Sequence, residues 1–140
     1  SGTLDREISS NTPKGGTETI LVVDDEEAIL DFCRPALARF GYEVMTASSG
    51  ETALEIYKEK KDAVDRVIMD LSMPGMGGSR CLREIKSLDS SAQVIVASGY
   101  SPDVQASVLA ETGAQGYVAK PYQLEDLLAA IRRVLDAKAV

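Results

Sequence analysis

The chain has 140 residues, 44% of them apolar, which is enough for one sizeable core and too little for two ordinary domains. Asp and Glu outnumber Lys and Arg by 22 to 15, and the formal charge of -7 has the wrong sign for a general grip on a phosphate backbone, so no direct nucleic-acid partner is expected. No apolar run approaches the roughly 20 residues that span a bilayer, so no membrane insertion is expected either; the absence of histidine removes His-based catalysis, His-rich metal sites and any internal phosphohistidine.

Residues 1–18 carry Ser, Gly, Thr, Pro and charges with almost no apolar spacing, and read as a flexible leader or linker ending at Gly15-Gly16. Without an initiator Met, Ser1-Gly2 suits a tag scar and the rest of the leader a linker from a longer parent. Residues 19–140 are read as one domain. From Thr19 short apolar runs alternate with segments of helical period, which predicts strands near 19–23, 43–47, 66–69, 93–97 and 116–119. The intervening helices are expected near 26–39, 50–60, 78–87, 102–112 and 122–137. In the first helix Ile29, Phe32, Cys33, Ala36, Leu37 and Phe40 recur at three- and four-residue steps, and Pro35 inside it is expected to produce a kink. The last helix repeats the pattern at Leu124, Leu127, Leu128, Ile131 and Leu135. Cys33 and Cys81 sit among apolar residues and read as buried free thiols, as suits a reducing cytosol.

Four of the strands are near-continuous apolar runs, as expected of parallel strands covered by helices on both faces, whereas Glu43-Val44-Met45-Thr46 is mixed and reads as an edge. The expected architecture is α/β, an open doubly wound sheet. Such sheets place their sites beyond the carboxyl ends of the strands, where strand order reverses. Asp24-Asp25-Glu26 follows the first predicted strand, Asp70 the third, Ser98-Gly99 the fourth and Lys120-Pro121 the fifth.

Three carboxylates brought together repel one another unless a cation is present, so Asp24, Asp25 and Asp70 ask for a metal. The ligands are all oxygens, which selects a hard ion such as Mg²⁺. Asp25 and Asp70 suit direct ligands, the backbone carbonyl of Ser72 a third, and Asp24 a hold on a coordinated water. In phosphoryl transfer the protein mainly supplies an in-line nucleophile and positive charge. Asp70 suits the nucleophile, and the Lys120 ammonium and Ser98 hydroxyl suit phosphoryl oxygens. Each piece alone has a plainer reading. Asp24-Asp25 fits a helix cap, Asp70 and Ser98-Gly99 fit turns, and Lys120-Pro121 fits a strand end with Pro in the first helical turn. Their coincidence at successive strand ends favours the chemical reading.

With these residues in view, the sequence resembles the response-regulator receiver family of two-component signalling, from Thr19 to about Ala137. The motifs that carry the resemblance are Ile20-Leu21-Val22-Val23-Asp24-Asp25-Glu26, Val67-Ile68-Met69-Asp70-Leu71-Ser72-Met73-Pro74-Gly75-Met76, Val94-Ile95-Val96-Ala97-Ser98-Gly99-Tyr100 and Gly116-Tyr117-Val118-Ala119-Lys120-Pro121. The resemblance implies a flavodoxin-like three-layer sandwich with a five-stranded sheet in the order 2-1-3-4-5. It implies Asp70 as phosphoacceptor, Asp24 and Asp25 as acidic metal residues, Lys120 as the phosphate-sensing lysine and a cis bond before Pro121. It also implies a switch in which Ser98 moves toward the phosphoryl group and Tyr117 turns inward.

Ser98 stands where Thr is more frequent, and Tyr100 is bulky enough to slow hydrolysis of a phosphoryl group. The implied partner is a histidine kinase or a histidine phosphotransfer domain, and the expected state is a monomer or weak dimer. The expected location is cytoplasmic, either free or tethered to the inner membrane through a parent sensor kinase. The leader resembles the linker before the C-terminal receiver of a hybrid sensor histidine kinase. A flavin-mononucleotide module is disfavoured because Asp24-Asp25-Glu26 would repel its phosphate. A haloacid-dehalogenase-type phosphatase wants Asp-x-Asp, and position 26 is Glu. A receiver-like interaction module that is never phosphorylated is the remaining alternative.

Overall fold

The structure, a computed structural model, describes residues 15–73, 77–99 and 102–139, without the side chains of 102–106 and 134–139. Most of the expected leader (residues 1–14), Tyr100 and the Leu135 side chain therefore lie outside the described residues. Strands and helices alternate as β1 (Thr19–Val23), α1 (Glu27–Arg39), β2 (Glu43–Ala47), α2 (Gly50–Lys60), β3 (Arg66–Asp70), α3 (Gly78–Leu88), β4 (Val94–Ser98), α4 (Pro102–Thr112), β5 (Gly116–Ala119) and α5 (Leu124–Ala139). All pairings are parallel, in the order β2-β1-β3-β4-β5. This is the expected doubly wound sheet, with β2 at one edge.

Alternation along each strand divides the core in two. Leu21, Val23, Val67, Met69, Val94 and Val96 pack under α2, α3 and α4, while Ile20, Val22, Ile68 and Ile95 pack under α1 and α5. Strands buried on both faces need apolar residues at every position, and each fully buried Leu, Ile or Val contributes about 1.5–3 kcal/mol. Cys33 and Cys81 are buried free thiols, as expected. Burial pushes the Cys81 thiol up to about 11, so it stays protonated near neutrality.

Three local expectations need correction. Two strands run one residue further than the apolar runs suggest, because Leu71 N–H donates to Ala97 C=O at 3.1 Å and carries the ladder past Met69. Asp70 and Ser98 are thus the last residues of β3 and β4 rather than the first beyond them. α1 buries Leu30, Cys33 and Leu37, and Phe32 is 44% exposed instead of lying on the core face. α1 also continues on both sides of Pro35, which sits on its exposed face. Finally, α5 starts at Leu124 rather than 122, since the Asp126 carboxylate accepts from Gln123 N–H at 3.0 Å and fixes the helix start there. Pro121 therefore precedes the helix and is not part of its first turn.

Candidate functional site

The chain leaves β1 toward β2 on one side and reaches β3 on the other, so the switch point of the sheet lies at the carboxyl ends of β1 and β3. Asp24 follows β1 with its N–H on Ala47 C=O at 3.1 Å, which fixes its backbone. Its side chain is bent back, Oδ1 accepting from Glu26 N–H at 2.9 Å, and so satisfies one orphan donor at the start of α1. The N-cap of α1 is Glu26, which makes no side-chain cap bond, so Asp24 closes a turn ahead of the helix and is not its cap. Asp70, at the end of β3, holds Oδ1 on Ser72 N–H at 3.0 Å. Both carboxylates are about 98% buried, whereas Asp25 beside them is exposed.

Lys120 closes the constellation. Its backbone N–H donates to Ser98 C=O at 2.8 Å, extending the β4–β5 ladder, and the Lys120-Pro121 peptide is cis. Its Nζ lies 2.9 Å from Asp24 Oδ2 and 3.4 Å from Asp70 Oδ2. Burial by itself would lower the pKa of this ammonium, but the hydrogen bond and charge of Asp24, followed by those of Asp70, outweigh it and hold the group above its ordinary value. Ser98 is fully buried at the end of β4, and the Tyr117 hydroxyl donates to its backbone carbonyl at 3.3 Å. Tyr117 is accordingly buried against β4, although β5 is an edge strand.

The structure thus brings Asp24, Asp25, Asp70, Ser72, Ser98, Tyr117 and Lys120 to one edge of the sheet. Among the described residues one acidic group meets metal-ligand spacing, with an oxygen from each of Asp24, Asp25 and Asp70 within 4.8 Å of the others. Oxygen donors gathered this closely fit a hard divalent ion. Two features were not read from the sequence. Gly78, the first residue of α3, sits so close to the site that a Cβ there would lie 2.0 Å from the Asp70 carbonyl oxygen. The signal was the Gly77-Gly78 pair just beyond the Asp70 turn, with Gly77 at φ +79°. The second is a groove of about 440 Å³ beside Lys120, walled by Ile29, Phe32, Pro121 and Tyr122.

Residues 20–132 match the family model described as the response regulator receiver domain. The chain belongs to that family. As a receiver domain it is 35% identical over 118 residues to the chemotaxis protein CheY of Bacillus subtilis, covering 84% of this chain and 97% of that protein. It is 34% identical over 132 residues to the sensor kinase CckA of Brucella abortus, but covers 94% of this chain and 14% of the kinase. A chain in the crystal structure of the CheX-CheY-BeF3-Mg²⁺ complex from Borrelia burgdorferi superposes on the receiver with a TM-score of 0.74 at 27% identity, covering 88% of this chain and 90% of that one. The receiver is a two-component signalling domain. No helix among its described residues is long and apolar enough to cross a membrane.

Proposed function

We propose that Asp70 is the residue of this receiver that accepts a phosphoryl group from a phosphohistidine on a histidine kinase or histidine phosphotransfer domain. The observation that carries the reading is the pairing of Lys120 Nζ with both Asp24 and Asp70 at the switch point. A carboxylate oxygen of Asp70 attacks phosphorus in line; the P–O bond forms as the P–N bond to imidazole breaks, and the imidazole leaves with the electron pair. Ser72 N–H holds Asp70 Oδ1 in place, which limits the rotation that would spoil alignment. Lys120 passes from the carboxylates to the phosphoryl oxygens, and the Ser98 hydroxyl donates to another.

Asp24, Asp25, Asp70 and the Ser72 carbonyl would hold Mg²⁺, which supplies charge for the equatorial oxygens and relieves repulsion among the acids. The magnesium and beryllofluoride named for the Borrelia complex support this choice of ion. The groove beside Lys120 offers an apolar seat for the donor, with the exposed Phe32 ring at its wall. Ser98 and Tyr117 form the switch, since a hydroxyl drawn toward the phosphoryl group alters the strand end that the Tyr117 hydroxyl binds. The CckA likeness favours residues 19–140 as the receiver of a hybrid sensor kinase, with residues 1–18 as its linker.

Incubation with acetyl phosphate and Mg²⁺ tests the assignment. One phosphoryl group should appear by intact mass, and none in Asp70→Asn or in EDTA; a gain that survives Asp70→Asn defeats it.

A further inference from the structure

Ahead of β1, the segment Gly15 to Glu18 is fastened between the α1–β2 turn and α5. Gly16 N–H donates to Phe40 C=O at 3.1 Å. From α5, Arg132 Nη1 reaches the Gly15 carbonyl, Glu18 Oε1 and the Tyr42 hydroxyl, and Nη2 reaches Glu18 Oε2, each at 3.4 Å. The seam is closed tightly by glycines. A Cβ on Gly15 would stand 2.0 Å from the Phe40 oxygen, and one on Gly41, at φ +98°, 2.2 Å from the Gly16 oxygen. Gly15 to Glu18 precede residue 20, where the match to the family model begins.

We propose that the clasp couples the phosphorylation site to the chain that enters the receiver: phosphorylation of Asp70 shifts α5, withdraws Arg132 from Glu18 and Gly15, and frees the entering segment. The inference rests on Asp70 being the acceptor. α5 begins four residues after Lys120, and Arg132 lies eight residues further on, about 12 Å along the axis. Lys120 now sits between Asp24 and Asp70, and phosphoryl oxygens on Asp70 give its ammonium a new set of acceptors. Any displacement of Lys120 and Pro121 reaches a helix that is packed through Leu127, Leu128 and Ile131 and therefore moves as a body. At the far end the four hydrogen bonds from Arg132 to Gly15, Glu18 and Tyr42 are at the long limit of hydrogen bonding, so a shift of about half an ångström weakens each of them. Small motion at one pole thus becomes release at the other.

Amide hydrogen exchange on the full chain, with and without beryllofluoride and Mg²⁺, tests this, while fluorine NMR reports occupancy of Asp70 independently. Binding should speed exchange at Gly16 and Thr17 about threefold, the factor expected for loss of a partly exposed ion pair. In Arg132→Gln and Glu18→Gln, exchange should already be fast and should not respond. Because coupling is reciprocal, both variants should also bind beryllofluoride about threefold more tightly than wild type. Unchanged or slower exchange at Gly16 with beryllofluoride bound overturns the proposal and leaves the Asp70 assignment standing. No bound fluorine signal overturns the assignment, and the proposal with it.

Discussion

Lys120 is paired with both buried carboxylates of the site. Its ammonium offsets the charge of Asp24 and Asp70 and competes with a divalent ion for the same oxygens. Lys120→Met should therefore bind Mg²⁺ about three- to tenfold more tightly in a titration, while losing most phosphoryl uptake from acetyl phosphate. The sign of its pH effect follows from its raised pKa. The pairing supports the fold fully below the ordinary lysine value of 10.5 and is lost as pH rises through the higher folded value. The stability difference between wild type and Lys120→Met, read from urea melts, should thus shrink only above about pH 10.5. At this scale the sequence was informative about place, because Asp24, Asp25, Asp70, Ser98 and Lys120 each stand at the end of an apolar run and the structure puts them at the carboxyl ends of the strands. It did not disclose that Lys120 lies closer to Asp24 than to Asp70, which depends on the paths of three chain segments.

Among the helices, α3 begins hard against the backbone of Asp70. Its first residue, Gly78, approaches the Asp70 carbonyl and the Leu71 Cα within distances no Cβ tolerates, 2.0 and 2.6 Å. The atoms met all belong to the Asp70–Leu71 backbone, so no flexible side chain can yield. Gly78→Ala should cost about 2–4 kcal/mol in urea unfolding followed by circular dichroism. The displaced α3 should also weaken Mg²⁺ binding through the moved Asp70, whereas Ser79→Ala, on the exposed face of the same helix, should do neither. Strand and helix order was legible from the alternation of apolar runs and helical periods. The facing of α1 was not, since Phe32 continues an apolar period that looks like core and lies one position off the buried stripe of Leu30, Cys33 and Leu37. An apolar residue left exposed and one buried in the core look alike in sequence.

For the molecule as a whole, crowding of Asp24, Asp25 and Asp70 in one place is a cost that a divalent ion bound there would relieve only in the folded state. Mg²⁺ at ten times its dissociation constant should raise the thermal midpoint by about 3–8 °C over an EDTA control in calorimetry. No shift at millimolar metal would count against the site. The ladder bonds Leu71 N–H to Ala97 C=O and Lys120 N–H to Ser98 C=O run to the very edge where the chemistry sits. Asp70, Ser98 and Lys120 are therefore set apart by the pitch of neighbouring strands, about 4.8 Å, and not by the shapes of the side chains beneath them. The sheet acts as a ruler with three marks. Volume-conserving exchanges among Val, Ile and Leu in the core can accumulate without resetting those marks, so the sequence of the interior and the chemistry at the rim are free to change independently.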